Sequence, residues 1–297
     1  MIRRAARPLR SRRPAIRDLV ELVRMPAALS VPGDVVAGAA AAGVLDRRTA
    51  GLACASVCLY WAGMAANDWA DRHVDAVERP ERPIPSGRVS PGVALTVAAG
   101  LTAGGVSAAA LIGGPRAGAL ATALAAAVWA YDVTAKDTPA GPAAMALCRV
   151  LDVLLGAGPR GRAGGALPEA LPAALTVGAH TYLLTLLSRR EVSGAGPHLP
   201  AGTLVATLAL AATVCRRAGR TQNALAAWYA ARFGLAQARA AADPSAAGIR
   251  SAVGSGITAL PALQGALTAH AGARGAGLAV AAAAPLGRVL ATKVAPT

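Results

Sequence analysis

Aromatic side chains and charge are what this chain has least of. Aromatics make up 3% of its 297 residues, with a single Phe, and charged residues 15%, against roughly 25% charged in soluble domains. A soluble globular surface is hard to build from so little charge. Acids are the scarcer sign, 15 Asp and Glu against 30 Lys and Arg, for a formal net charge of +15. Cysteine is sparse too: Cys54, Cys58, Cys148 and Cys215 lie in or at the ends of apolar runs and form no CxxC pair. Such cysteines read as small packing residues rather than disulfides or zinc ligands. Also missing are a Walker loop, a dinucleotide fingerprint and a nucleophile elbow, which removes the commonest nucleotide-dependent and acyl-transfer chemistries. The four histidines are scattered, and His73, the one beside acids, reads as a solvated helix neighbour.

What is present is apolar length. Hydrophobic residues are 55% of the chain and its mean hydropathy is +0.46, so the expectation is all-α, a polytopic membrane helix bundle. In a soluble protein the net charge would suggest nucleic acid. Here the charges sit in short clusters between apolar runs and no nucleic-acid module is recognisable, so no nucleic-acid partner is expected. The charge instead sets topology, basic clusters staying on the cytoplasmic side.

Residues 1–17 hold seven arginines and no acid and read as a basic cytoplasmic N-terminal tail rather than a secretory signal. Residues 18–297 read as one transmembrane domain. Its first apolar run opens at Arg24-Met25-Pro26, continues to about Gly43 and carries Asp34 near its middle. An ionisable group there is costly unless it faces a cavity or a partner. Further runs are expected near 50–66, 91–113, 116–131, 140–158, 167–187, 200–215, 252–270 and 274–291, rich in the small residues that allow close helix contacts. The fifth run, 140–158, buries Arg149 and Asp152, spaced to pair on one helix face and either to line a cavity or to tie helices together. Residues 221–241, with Trp228, Tyr229, Arg232 and Arg239, suit an interfacial amphipathic helix, a further span being the alternative.

The densest charge lies at 67–90, NDWADRHVDAVERPERPIPSGRVS. Asp68, Asp71 and Asp75 are spaced three and four apart, which puts their carboxylates on one helix face. Such a face repels itself unless it stays solvated or shares a divalent cation, and Mg²⁺ characteristically takes one or two carboxylates together with substrate phosphates. Arg72, Arg79, Arg82 and Arg88 in the same stretch suit a polyphosphate anion. By residues alone a solvated loop between two membrane helices is as good a reading.

The pattern N-D-x-x-D-x-x-x-D of Asn67, Asp68, Asp71 and Asp75, followed by ERPERPIPSGRVS from Glu78 to Ser90, resembles the first aspartate-rich motif and loop of the UbiA superfamily of membrane prenyltransferases. The resemblance implies a fold of about nine transmembrane helices, with cytoplasmic active-site loops near 67–90, 131–139 and 188–198. It implies Mg²⁺ as cofactor, held by Asn67, Asp68, Asp71 and Asp75, and an isoprenyl diphosphate and a lipophilic acceptor as partners within the lipid bilayer. Tyr131 and Lys136 resemble the Tyr and Lys of the family's next loop, the Lys holding diphosphate. The plainer alternative is an interfacial aromatic and a snorkelling lysine.

The second aspartate motif belongs at Ser188 to Gly194, where this chain offers Glu191 alone beside Arg189 and Arg190. This departs from the family pattern and is similar to the arginine-rich form of the EboC-like branch. Glu191 is then expected to assist a second metal ion, while Arg72, Arg82, Arg189 and Arg190 offset diphosphate charge. The expected activity is metal-assisted prenyl transfer, with Asp68, Asp71 and Lys136 as catalytic residues. Two alternatives stay open: a non-catalytic membrane protein that binds a prenyl precursor in biosynthetic assembly or export, and, more weakly, a secondary transporter.

Overall fold

A computed structural model describes residues 14–24, 28, 30–158, 166–215 and 219–283. Most of the basic tail, the Met25-Pro26 opening of the first run, most of the basic outer loop, Arg216-Arg217 and the end of the last run lie outside the described residues.

Among the described residues the chain is helical: α1 (Ile16–Leu22), α2 (Pro32–Ala41), α3 (Arg47–Ala70), α4 (Arg72–Glu78), α5 (Pro91–Gly113), α6 (Pro115–Ala130), a π-helical turn (Tyr131–Ala135), α7 (Gly141–Gly156), α8 (Ala166–Ser188), α9 (His198–Cys215), α10 (Arg220–Ala242) and α11 (Ala246–His270). A further helix begins at 274. Several starts follow directly from sequence. Pro is first in α2, α5 and α6, where its missing N–H costs nothing, and Asp46, Ser90 and Ser245 cap α3, α5 and α11 with side-chain oxygens.

From α2 onward the long helices form a closed ring. α2 packs on α3, α3 on α5, and so on in chain order through α11, which returns to α2. Backbones approach closely where glycine permits. A Cβ on Gly38 would lie 1.8 Å from the Val153 carbonyl oxygen, and one on Gly156 2.0 Å from that of Val35, so α2 and α7 meet main chain to main chain. With so few large side chains available, contact at this distance recovers the dispersion energy that bulk would otherwise supply.

Among the described residues five helices are long and apolar enough to cross a membrane: Arg47–Ala70, Pro91–Gly113, Pro115–Ala135, Leu167–Ser188 and His198–Cys215. They coincide with five of the nine expected spans. The first expected span is instead divided. Its helix begins only at Pro32 and has 10 residues, about 15 Å long, so α2 is a short element inside the bundle. α10 also departs from the interfacial reading. Leu225, Ala226, Tyr229, Phe233, Ala236 and Ala240 are buried, and α10 packs between α9 and α11 as a member of the ring. Tyr229 and Phe233 pack on buried His180 of α8, whose Nδ1 lies 3.0 Å from the Tyr229 hydroxyl. The aromatic and arginine pattern of residues 221–241 thus reflects a buried stripe with a charged back.

Candidate active site

The aspartate stretch sits where α3 ends. Asp68 lies in its last turn, Asp71 is the junction residue, and Asp75 is in α4. The backbone stays nearly continuous across the break, the Asp71 N–H bonding Asn67 O at 2.9 Å and the Asp75 N–H bonding Asp71 O at 2.8 Å. The three carboxylates do not act as one face. Asp68 and Asp75, both buried, converge on Arg82, whose Nη1 is 2.6 Å from Asp75 Oδ2 and 3.4 Å from Asp68 Oδ1. Asp71 turns the other way, accepting from Asn67 Nδ2 at 2.8 Å and pairing with Lys136 just after the π-helical turn. Self-repulsion is relieved by alternating acids with cations.

The loop after α4 folds back to make this possible. Pro83 O accepts from the Val89 N–H, Gly87 takes a positive φ of 75°, and the Gly87 N–H returns to Ile84 O. Ile84 and Val89 bury against Leu22, Ala65, Ala66, Ala94 and Ala98. The RPIPSGRVS stretch is therefore an anchored cover over the end of α3.

Helix α1 is strapped across the same end. Arg88 bonds Asp18 at 2.9 Å and Glu21 at 2.6 and 2.8 Å. Its hydrogen bond holds the Asp18 carboxyl below its ordinary pKa, while Glu21 and Asp18 raise that of Arg88. Just beyond α1, Arg24 adopts φ +48°, a left-handed conformation that costs a non-glycine residue of order 1 kcal/mol, and reaches Asp68 Oδ1 at 2.8 Å. Arg24 was missed as a site residue. Its signal was a cation placed where an apolar run begins.

The second and third loops join by a different contact. The Arg189 guanidinium donates to the Thr138 carbonyl, which ties the end of α8 to the turn carrying Lys136. Arg190 is exposed, and Glu191 offers its backbone carbonyl to Arg250 at 2.8 Å. Burial raises the Glu191 carboxyl above its usual pKa, partly offset by Arg250. Among the described residues its side chain makes no hydrogen bond or ion pair to Asp68, Asp71 or Asp75. Arg72 lies over the Trp69 ring at 4.9 Å and bonds Trp69 O, so it faces away from the acids it follows. Tyr131 packs against the α3, α6 and α7 core.

The cavity candidates form a separate buried network. The pairing expected of Arg149 with Asp152 is replaced by one with Asp34, at 2.8 Å, while Asp152 accepts from Ser56 of α3. Gln264 of α11 completes it, its amide donating to Asp34 Oδ1 at 2.6 Å and Ser30 O at 2.8 Å. The cluster ties α2, α3, α7 and α11 together. A cavity of about 870 Å³ lies between α8, α9 and α11 around Glu169 and His270; none of the predicted site residues lines it.

Among the described residues no three His, Cys, Asp or Glu side chains converge to cage an ion unaided. The donors at the end of α3 are nevertheless carboxylate and amide oxygens, with Asp71 at 28% side-chain exposure. That chemistry fits a hard divalent ion arriving with a phosphate ligand and displacing the arginine and lysine contacts.

Residues 29–196 match the model of the UbiA prenyltransferase family, more than half of the chain. The chain belongs to the UbiA family. With its five long apolar helices it is an integral membrane protein. It is 42% identical over 90 residues to the digeranylgeranylglyceryl phosphate synthase of Natronomonas pharaonis, covering 30% of this chain and 32% of that one. It is 41% identical over 88 residues to the bacteriochlorophyll synthase 33 kDa chain of Cereibacter sphaeroides, covering 28% and 29%. These matches span about a third of the relatives' own length. Two solved structures share the fold: a UbiA homologue from Aeropyrum pernix K1, with TM-score 0.62 and 23% identity, and a digeranylgeranylglyceryl phosphate synthase, with TM-score 0.64 and 15% identity. Each match covers 86% of this chain and 97% of the other.

Proposed function

We propose that this protein transfers an isoprenyl group from an allylic isoprenyl diphosphate to a lipophilic acceptor, and that the end of α3 is where the diphosphate departs. The observation that carries this reading is the alternation of Asp68, Asp71 and Asp75 with Arg24, Arg82 and Lys136 at one end of an apolar bundle. Acids alone suit a metal and cations alone suit an anion. The two interleaved suit a metal and a diphosphate together.

Asn67, Asp68, Asp71 and Asp75 would hold Mg²⁺, with Glu191 assisting from the third loop. Bound there, Mg²⁺ supplies charge neutralisation of the leaving diphosphate. Lys136 and Arg82, freed from their carboxylates, bind the remaining phosphate oxygens, and Arg189 and Arg190 add positive charge from the rim. Tyr131, at the start of the turn that leads to Lys136, would border the diphosphate. The helices below keep water from the allylic centre while the hydrocarbon tail stays among apolar side chains. We read this end of the bundle as the cytoplasmic one, a reading that the basic clusters support.

The test is transfer of label. Purified protein in lipid, given isotopically labelled geranylgeranyl diphosphate, Mg²⁺ and a cellular lipid extract, is expected to yield a prenylated lipid by mass spectrometry. Binding of the diphosphate with no product under any acceptor supply would favour the alternative of a non-catalytic prenyl-binding protein.

A further inference from the structure

Near the site stands a carboxylate without a hydrogen-bonded partner among the described residues. Asp132, in the π-helical turn, is 3% exposed, yet among the described residues its side chain forms no hydrogen bond or ion pair. A buried unpaired carboxyl group is expensive, and π-helical turns concentrate at functional sites.

Its position follows from the two rungs that join this turn to α3. At the upper rung Lys136 pairs with Asp71. At the lower, Asp132 Oδ2 lies 3.4 Å from where a Cβ on Gly63 would stand, which places the carboxylate in van der Waals contact with α3 at Gly63. Gly63 precedes Asp71 by eight residues, about 12 Å along α3. Asp132 thus sits deeper in the bundle than the ion pair assigned to the diphosphate. The charged and titratable groups whose fields reach it are Asp68 and Asp71 of α3, Lys136 of its own segment, Arg24, Tyr131 and Cys148 of α7. All the cations among them already serve acids or lie toward the rim, which leaves Asp132 as the free carboxylate on the inner side.

We propose that Asp132 is the base of the reaction and that the acceptor carries a neutral hydroxyl. As the C1–O bond of the donor breaks, its electron pair leaves with the diphosphate. The acceptor oxygen bonds to C1, and its proton passes to an Asp132 carboxylate oxygen. An anionic nucleophile would need no base and would be repelled by this carboxylate, whereas an alcohol or phenol needs one. The inference rests on the prenyl-transfer reading above and narrows its acceptor class.

The experiment separates bond breaking from proton removal. Geranylgeranyl diphosphate labelled with ¹⁸O in the C1–O bridge is supplied with Mg²⁺, and scrambling of label into the non-bridging positions reports ionisation. The acceptor probes are geranylgeranylglycerol and 4-substituted phenols of graded acidity. Asp132→Asn is expected to keep scrambling within about threefold while product formation falls by roughly 10²–10⁴, the range for loss of a general base. The deficit should shrink as the phenol becomes more acidic, and Asp132→Glu should recover part of the rate. Scrambling and product falling together would show a structural role and overturn the assignment, as would unchanged product formation. A parent protein that scrambles but prenylates no hydroxyl probe also overturns it. A parent that neither scrambles label nor forms any prenylated product refutes the prenyl-transfer reading itself, and the base with it.

Discussion

The Arg149 guanidinium meets the Asp34 carboxylate at 2.8 Å inside the bundle, joining α7 to the short helix α2. Asp34 is fully buried and also accepts from Gln264 at Oδ1, so it is held by two helices distant in sequence. Removing one partner of such a pair strands a charge, which typically costs 3–5 kcal/mol, whereas replacing both by apolar groups can be nearly neutral. Arg149→Met is therefore expected to lower the unfolding midpoint in detergent sharply, and Arg149→Met with Asp34→Leu to recover most of it. Equal losses in the single and double variants would contradict the pairing.

Close backbone contact between α2 and α7 gives a second prediction. Gly38→Ala forces a methyl group to within 1.8 Å of the Val153 carbonyl oxygen, while Gly100 and Gly104 of α5 have open space. Gly38→Ala should destabilise by several kcal/mol, as overpacking against main chain does. Gly104→Ala should be neutral or stabilise by up to about 1 kcal/mol through helix propensity. Thermal unfolding of both variants checks the contrast.

The strap made by α1 should be releasable by pH and by mutation. The Asp18 carboxyl, hydrogen-bonded by Arg88, has its pKa held below the ordinary 3.8. Its contribution to stability is thus fully present above 3.8 and lost as pH falls through the lowered value. The protection of residues 14–24 against hydrogen exchange, corrected for the intrinsic pH dependence of exchange, is expected to fall as pH is lowered below about 4 in the parent. In Arg88→Ala that protection should be low already at neutral pH. Exchange unaffected by Arg88→Ala would mean that α1 is held by Leu22 packing alone.

Glu191→Gln tests the shortened second motif. Should Glu191 assist the metal, the variant needs more Mg²⁺ for half-maximal rate, with donor binding little changed. Unaltered Mg²⁺ dependence and rate would remove Glu191 from the site.

Much of this was legible in the sequence because it is local. The N-D-x-x-D-x-x-x-D spacing located Asp68, Asp71 and Asp75, and the apolar runs located five helices long enough to span a membrane. What the spacing could not give is which carboxylate meets which cation, since Arg24, Arg82 and Lys136 arrive from three different segments. The same limit explains Arg149. Three residues of separation made Asp152 the nearest candidate, but tertiary packing brought Asp34 from α2. The α10 stripe was misread because a buried helix with arginines on its outer side has the composition of an interfacial one. Asp132 lay in plain view four residues before Lys136. Its significance depends on Gly63, which only the packed structure brings beside it.

The measurement that bears most directly on the account is diphosphate release from geranylgeranyl diphosphate by the purified protein, with Mg²⁺ or with EDTA, in the parent and in Asp68→Ala and Asp71→Asn. The account predicts release that requires Mg²⁺ and falls at least about 10²-fold in both variants, while circular dichroism shows them still folded. Release that persists in EDTA, or in both variants, would contradict the assignment of the α3 terminus as the site of diphosphate departure.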